Sequence, residues 1–129
     1  MLDKLGGFTY MIMLSGKNKV DCQQYDHVWY CTTTCPGMRQ GCEHHPELAG
    51  SRELHALWYK GGFSEEELYA MYVKEMLTSD KLLNLLEVIR RSDNGEWFQL
   101  VFYENDKNDG ERKYLYDIIK KYTDNVYIE

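Results

Sequence analysis

The chain has 129 residues, of which 43% are hydrophobic and 28% charged, and its formal net charge is −6. This length and composition predict one folded domain over residues 1–129, and they exclude a disordered chain and two ordinary domains. The negative balance makes nucleic acid a second-choice partner, because a phosphate backbone repels it.

Residues 8–14 form an apolar run that is too short to cross a bilayer, and no secretory leader accompanies it. We therefore expect a cytoplasmic protein that makes no membrane contact. Because thiols stay reduced in that compartment, the four cysteines are more readily ligands, nucleophiles or core residues than disulfides.

The first part of the chain combines short extended segments with a long irregular one. The run at 8–14 stops at the turn composition of residues 15–18, which predicts a buried first strand. The pattern from Val20 to Tyr30 predicts a hairpin that brings Cys22 and Cys31 together. With two prolines and three glycines, residues 32–50 are typical of an irregular loop, so the whole segment 22–50 needs another source of order.

Three helices are predicted next along the chain. Ser51 caps a short helix over residues 51–60, and the Gly61-Gly62 pair ends it. Ser64 and Glu67 form a capping box at the start of a second helix, which is followed by a third over residues 80–91.

The last part of the chain predicts a strand, a helix and a strand. Residues 97–103 are almost continuously apolar, which is typical of a central strand covered on both faces. After a polar loop, helical spacing from Leu115 to Tyr122 predicts a last helix, and residues 126–128 a final strand. This parallel crossover indicates an α/β domain with a mixed or mostly parallel sheet, about four packed helices and a Cys/His-rich loop.

All four cysteines and three of the four histidines lie between Cys22 and His45. Thiolates and imidazoles are the ligands that zinc prefers, and a full set leaves little room for an activated water, so a structural zinc is favoured over a catalytic one. Whether Cys22 or a second histidine completes the set stays open. The predicted metal ligands are Cys22, Cys31, Cys35, Cys42, His44 and His45.

Other interpretations of the cysteines stay open. In one interpretation the cysteines are buried core residues, since cysteine is often buried. In another they are disulfide partners, if the compartment is oxidising. In a third, Cys35 is a nucleophile activated by His44 or His45, with Glu43 nearby. His55, inside the first predicted helix, is interpreted as a surface or core histidine and not as a ligand.

Several short motifs resemble those of a bacterial and phage family, the domain-of-unknown-function family numbered 488. These are Ser15 to Asp21 after the first strand, Trp58 to Glu67 with Tyr72 in the next helix, and Tyr103 before a basic helix start. Members have a Cys-Tyr at the end of the late strand and a Cys-His-Arg that opens the last helix. Here Phe102 and Gly110-Glu111 replace the cysteines and the histidine, and Tyr103 and Arg112 remain, so the resemblance implies the small α/β fold more than an activity.

Two functions follow as hypotheses. In the first, the protein is an intracellular, phage-encoded module in a host cytoplasm, where an aromatic, acidic surface binds a protein partner and zinc orders the loop. In the second, it is a small metal- or thiol-dependent enzyme that uses Cys35, Glu43, His44 and His45, with Arg112 as an anion-binding group.

Overall fold

Five parallel strands form one sheet in the computed structural model, which describes residues 11–103 and 110–129. The order across the sheet is third, second, fourth, first and fifth strand, and every neighbouring pair is parallel. The predicted α/β class is therefore confirmed, with a fully parallel sheet. The strands are β1 (Ile12–Gly16), β2 (His27–Tyr30), β3 (Glu43–His44), β4 (Phe98–Phe102) and β5 (Val126–Ile128).

Four α-helices accompany the sheet in the described part of the chain, and two of them start at the predicted capping residues. The Ser51 side chain accepts the Leu54 N–H at the start of the first helix, and Ser64 and Glu67 form the predicted capping box of the second. These caps satisfy backbone donors that a helix start leaves unpaired. The helices are α1 (Arg52–Lys60), α2 (Glu65–Met76), α3 (Ser79–Asp93) and α4 (Gly110–Lys120).

The two faces of the sheet are covered by different kinds of structure. Successive strand side chains point to opposite faces, so Ile12 and Leu14 join a core built with all four helices. Met13, on the opposite face, joins a smaller cluster with Val20 and Tyr25, which come from irregular segments. The central position of β4 between β2 and β1 explains its almost continuous apolar sequence, because both of its faces are buried.

A buried glutamine joins the sheet to the irregular layer, which is the set of irregular segments on the face opposite to the helices. Gln99 of β4 is 0% exposed, and its Oε1 accepts the Asp21 N–H at 2.9 Å. Its Nε2 donates to the Lys19 carbonyl at 2.7 Å and to the Ser15 hydroxyl at 3.1 Å. The amide thus makes three hydrogen bonds, so the polar groups of this seam are paired although they are out of water.

The hairpin predicted between Val20 and Tyr30 is wrong. Residues 22–24 form a turn, and β2 pairs in parallel with β3 and β4, so among the described residues it has no antiparallel partner. Cys22 and Cys31 are not brought together: Cys31 is 0% exposed in the helix-side core, whereas Cys22 is exposed. The local alternation of apolar and polar residues cannot reveal how β2 pairs, because its partner strands are distant in sequence.

Other element boundaries also differ from the prediction. β1 continues through Ser15 and Gly16, where a turn was predicted, because Ser15 pairs in register with Val101. Of the predicted first strand, residues 8–10 lie outside the described residues, as do 104–109 of the predicted loop. Tyr122 is 51% exposed and lies beyond the end of α4, so the prediction that it belongs to that helix is wrong.

The crossover predicted at the end of the chain is confirmed. β4 leads through α4 to β5, and both β4 and β5 pair in parallel with β1, which lies between them. Among the described residues, no helix has the length and apolar character needed to cross a membrane.

The ion pairs at the amino end of β2 indicate that the fold loses stability in acid. Glu96 contacts His27 at 2.6 Å and Arg91 at 2.8 Å, and the Arg91 and His27 hydrogen bonds lower the Glu96 pKa from 4.5 to about 2. A carboxylate with a lowered pKa stabilises the fold above its unfolded pKa, and this contribution is lost as pH falls through the folded value. We expect the free energy of unfolding, measured in urea between about pH 6 and 2, to show this loss. The loss should be smaller in the Glu96→Gln variant. The exposed Glu53→Gln is the control, and equal acid profiles for the two variants would contradict the prediction.

Candidate functional site at the carboxyl edge of the sheet

A cleft of about 480 Å³ lies beyond the carboxyl ends of β2 and β4. From β2 the chain continues to β3 on one side, whereas from β4 it crosses to β5 on the other side. Neighbouring parallel strands whose connections leave in opposite directions open a crevice, the usual ligand position in α/β sheets. The cleft is lined by Thr32, Thr33, Thr34, His55, Trp58, Tyr59, Tyr103 and Glu111.

A histidine and a buried glutamate form the polar centre of this cleft. Glu111, in the first turn of α4, is 5% exposed, and its Oε1 lies 2.5 Å from His55 Nε2 of α1. The same oxygen accepts the Gly50 N–H at 2.7 Å. An ionised carboxylate only accepts hydrogen bonds, so an ionised Glu111 holds the His55 ring through the N–H that Nε2 donates.

Gly50 allows the glutamate to approach the backbone this closely. A Cβ at this position would lie 2.6 Å from Glu111 Oε1 and 3.4 Å from His55 Nε2. A contact of 2.6 Å is well inside van der Waals range, so the carboxylate would have to move. The glycine is therefore part of the geometry that holds the His55–Glu111 pair.

Aromatic rings and hydroxyl groups form the rest of the wall. Tyr59 is 90% exposed, and it follows Trp58 on α1. Tyr103 also lines the cleft; its hydroxyl donates to the Pro36 carbonyl at 3.2 Å, and burial raises the pKa of this phenol. The exposed ring of Tyr59 offers stacking area for a planar molecule.

Of the six predicted metal ligands, the structure brings two into contact. Cys22 Sγ and Cys42 Sγ lie 3.4 Å apart. Burial, with the neighbouring Cys22, raises the pKa of the Cys42 thiol to about 11. Cys31 lies in the helix-side core, where burial raises the pKa of its thiol well above the ordinary value, and Cys35 packs beside the smaller cluster.

The two histidines of the predicted set contact other groups. His44 Nε2 lies 2.6 Å from the Thr32 carbonyl. The His45 ring stacks on Trp29 at 3.6 Å, and its Nδ1 lies 2.6 Å from a Glu47 oxygen. Among residues 11–103 and 110–129, no three His, Cys, Asp or Glu side chains are grouped so that they could hold a metal ion. The zinc site stays a prediction.

Arg112, the anion-binding group of the enzyme hypothesis, is buried. It is 1% exposed, and its Nε and Nη2 have no hydrogen-bond partner within the described part of the chain. Arg112 shares a helix face with Leu115 and Ile119, three and seven residues later, which are fully buried. It therefore faces the core, and its role in binding an anion stays a prediction.

Sequence reasoning missed the His55–Glu111 pair. The two residues are 56 positions apart, and each has an ordinary local explanation as a helix residue. The one available signal was the carboxylate at the start of the helix after the central strand, because this place borders the carboxyl edge of a parallel sheet.

No protein-family model matches the chain, and comparison with curated proteins and with solved structures finds no significant similarity. The resemblance to the family numbered 488 is therefore neither supported nor refuted. The site must be interpreted from its own chemistry.

Proposed function

We propose that the protein binds a small molecule with a planar ring in the cleft and catalyses proton transfer at it through His55. The observation that carries this proposal is the His55–Glu111 pair in the cleft wall, with a separation of 2.5 Å and a glutamate that is 5% exposed. A histidine held by a buried carboxylate is a common arrangement for general acid–base catalysis.

Each part of the cleft has a role in this function. Glu111 orients His55, and the imidazole of His55 is the group that takes or gives a proton. Tyr59 and Tyr103 stack on the ring of the ligand, and the hydroxyls of Thr33 and Thr34 orient its polar groups. The volume of about 480 Å³ is that of an ordinary small-molecule site.

A fragment screen tests the proposal. The probe is a library of soluble planar heterocycles, and binding is followed by NMR shifts of the labelled protein. We expect hits to shift the signals of Thr33, His55 and Trp58, and we expect His55→Gln to raise the Kd of a hit about tenfold. Crystals with the best hit should place a ring nitrogen or oxygen next to His55.

The matched control is His27→Gln, because His27 also pairs with a glutamate, at 2.6 Å, but lies at the amino end of β2. This variant should keep the affinity of the native protein. Hits that cluster in the groove between α1 and α2, around Leu57 and Met71, would refute the proposal. Equal affinities of the His55 and His27 variants would refute it too.

The zinc-ordered protein-binding module is a second proposal, supported by the close Cys22 and Cys42 sulfurs and by the exposed Tyr59. Two sulfurs are half of the ligand set that zinc prefers. On this proposal, the purified protein contains about one zinc per chain, and Cys22→Ser and Cys42→Ser lose it. Protein without zinc, or equal zinc content in these variants, would contradict it.

A further inference from the structure

Two thiols from distant parts of the chain meet on the side of the sheet that the irregular segments cover. Cys22 lies in the turn before β2, and Cys42 lies immediately before β3. Their sulfurs are 3.4 Å apart, and the two residues are 20 positions apart in sequence. Cys22 is exposed, whereas Cys42 is half-buried against the smaller cluster.

We propose that Cys22 and Cys42 form a reversible thiol–disulfide pair that exchanges with low-molecular-weight disulfides of the glutathione type. An S–S bond is about 2.0 Å long, so each sulfur has to move by less than about 1 Å from its present position. Cys22 belongs to an exposed turn, which can supply this movement without opening the core.

The exchange proceeds in two steps that balance. The exposed Cys22 thiolate attacks one sulfur of the small disulfide, whose S–S bond breaks and releases one small thiolate. The Cys42 thiol then gives its proton to the small thiolate released in the first step, and its sulfur attacks the Cys22 sulfur of the mixed disulfide, whose S–S bond breaks and releases the second small thiolate. The protons of the two cysteine thiols end on the two small thiols, so the protein loses two electrons and two protons and the small disulfide gains them.

The other two cysteines are poor partners for this reaction. Cys31 is 0% exposed, and its sulfur lies 3.7 Å from the Trp29 carbonyl on the helix side of the sheet. Cys35 is half-buried near Tyr103, and its sulfur contacts no other sulfur among the described residues. Access and proximity therefore select one pair among the four thiols.

The disulfide would add a covalent link between the segment at 20–24 and the segment that leads to β3. Between the two segments, Arg39 Nη1 donates to the Val20 carbonyl at 3.4 Å, which is a long hydrogen bond. A covalent bond two residues beyond Val20 joins the turn at 22–24 to the end of the segment 31–42. Oxidation should therefore stabilise the fold by restricting the unfolded chain.

The experiment equilibrates the whole protein with mixtures of reduced and oxidised glutathione, blocks the remaining thiols, and maps disulfides by peptide mass spectrometry. We expect a Cys22–Cys42 peptide, two alkylated cysteines, and a melting temperature roughly 5–10 °C above that of the reduced protein. Cys22→Ser and Cys42→Ser should form no internal disulfide. The matched control Cys35→Ser should behave as the native protein does.

Three outcomes would overturn the proposal. One is a mapped disulfide that contains Cys31 or Cys35 in place of Cys22 or Cys42. Another is four alkylated thiols at every glutathione ratio. The third is about one zinc per chain, measured on the same sample, that Cys22→Ser and Cys42→Ser remove, because a zinc-bound pair serves as ligands and not as a redox couple. Since Cys22 is exposed, its serine variant should fold, and the test does not depend on the cleft.

Discussion

Replacing Glu111 by alanine is expected to lower the free energy of unfolding by about 3 kcal/mol. The carboxylate is 5% exposed and accepts from two donors, the Gly50 N–H and His55 Nε2. Alanine leaves both donors without this acceptor in a poorly hydrated place, and it also removes packing volume. Urea unfolding followed by circular dichroism measures the change.

Two further variants separate stability from function. Glu111→Gln keeps an oxygen for the Gly50 N–H but removes the charge beside His55, so we expect a smaller loss of stability together with weaker ligand binding in the cleft. Gly50→Ala should act in the same direction, because its Cβ would lie 2.6 Å from the carboxylate. The exposed Glu66→Ala in the first turn of α2 is the control. A cost for Glu111→Ala as small as that of the control would show that the pair does not hold the site together.

Gln99→Leu is expected to cost about 3 kcal/mol, although leucine is more hydrophobic and similar in size. Gln99 is 0% exposed and makes hydrogen bonds to Asp21, Lys19 and Ser15. Leucine leaves the Asp21 N–H and the Lys19 carbonyl without this partner, and their desolvation is then uncompensated. We also expect faster amide exchange in the turn at residues 22–24, because Gln99 holds the start of that segment.

The matched control for this prediction is Gln40→Leu, since Gln40 is exposed in the segment between β2 and β3. A surface change of this kind should alter the free energy of unfolding by less than about 0.5 kcal/mol. If Gln99→Leu is neutral or stabilising, then hydrophobic contact outweighs the amide hydrogen bonds, and the irregular layer is held by its apolar side chains alone.

The elements that could be predicted from the sequence are those specified by nearby residues. Ser51, Ser64 and Glu67 gave correct helix starts, because a capping side chain bonds to a backbone group within three positions. The apolar run at 97–103 predicted a central strand, since burial on both faces removes the alternation of polar residues.

The errors concern partners that are distant in sequence. The segment 20–30 resembled a hairpin because alternation reports a strand but not what it pairs with, and β2 pairs instead with β3 and β4. Tyr122 fits the helical spacing, yet α4 ends at Lys120 and leaves it 51% exposed.

The α/β class, the capped helices and the central strand can be read from the chain, because these features depend on interactions within a few residues. Which polar groups meet depends instead on how the whole chain folds. It placed Cys22 beside Cys42, left Cys31 in the opposite core, and joined His55 to Glu111 across 56 positions. Such contacts are set by the parallel order of the strands, which places the ends of distant segments at one edge of the sheet.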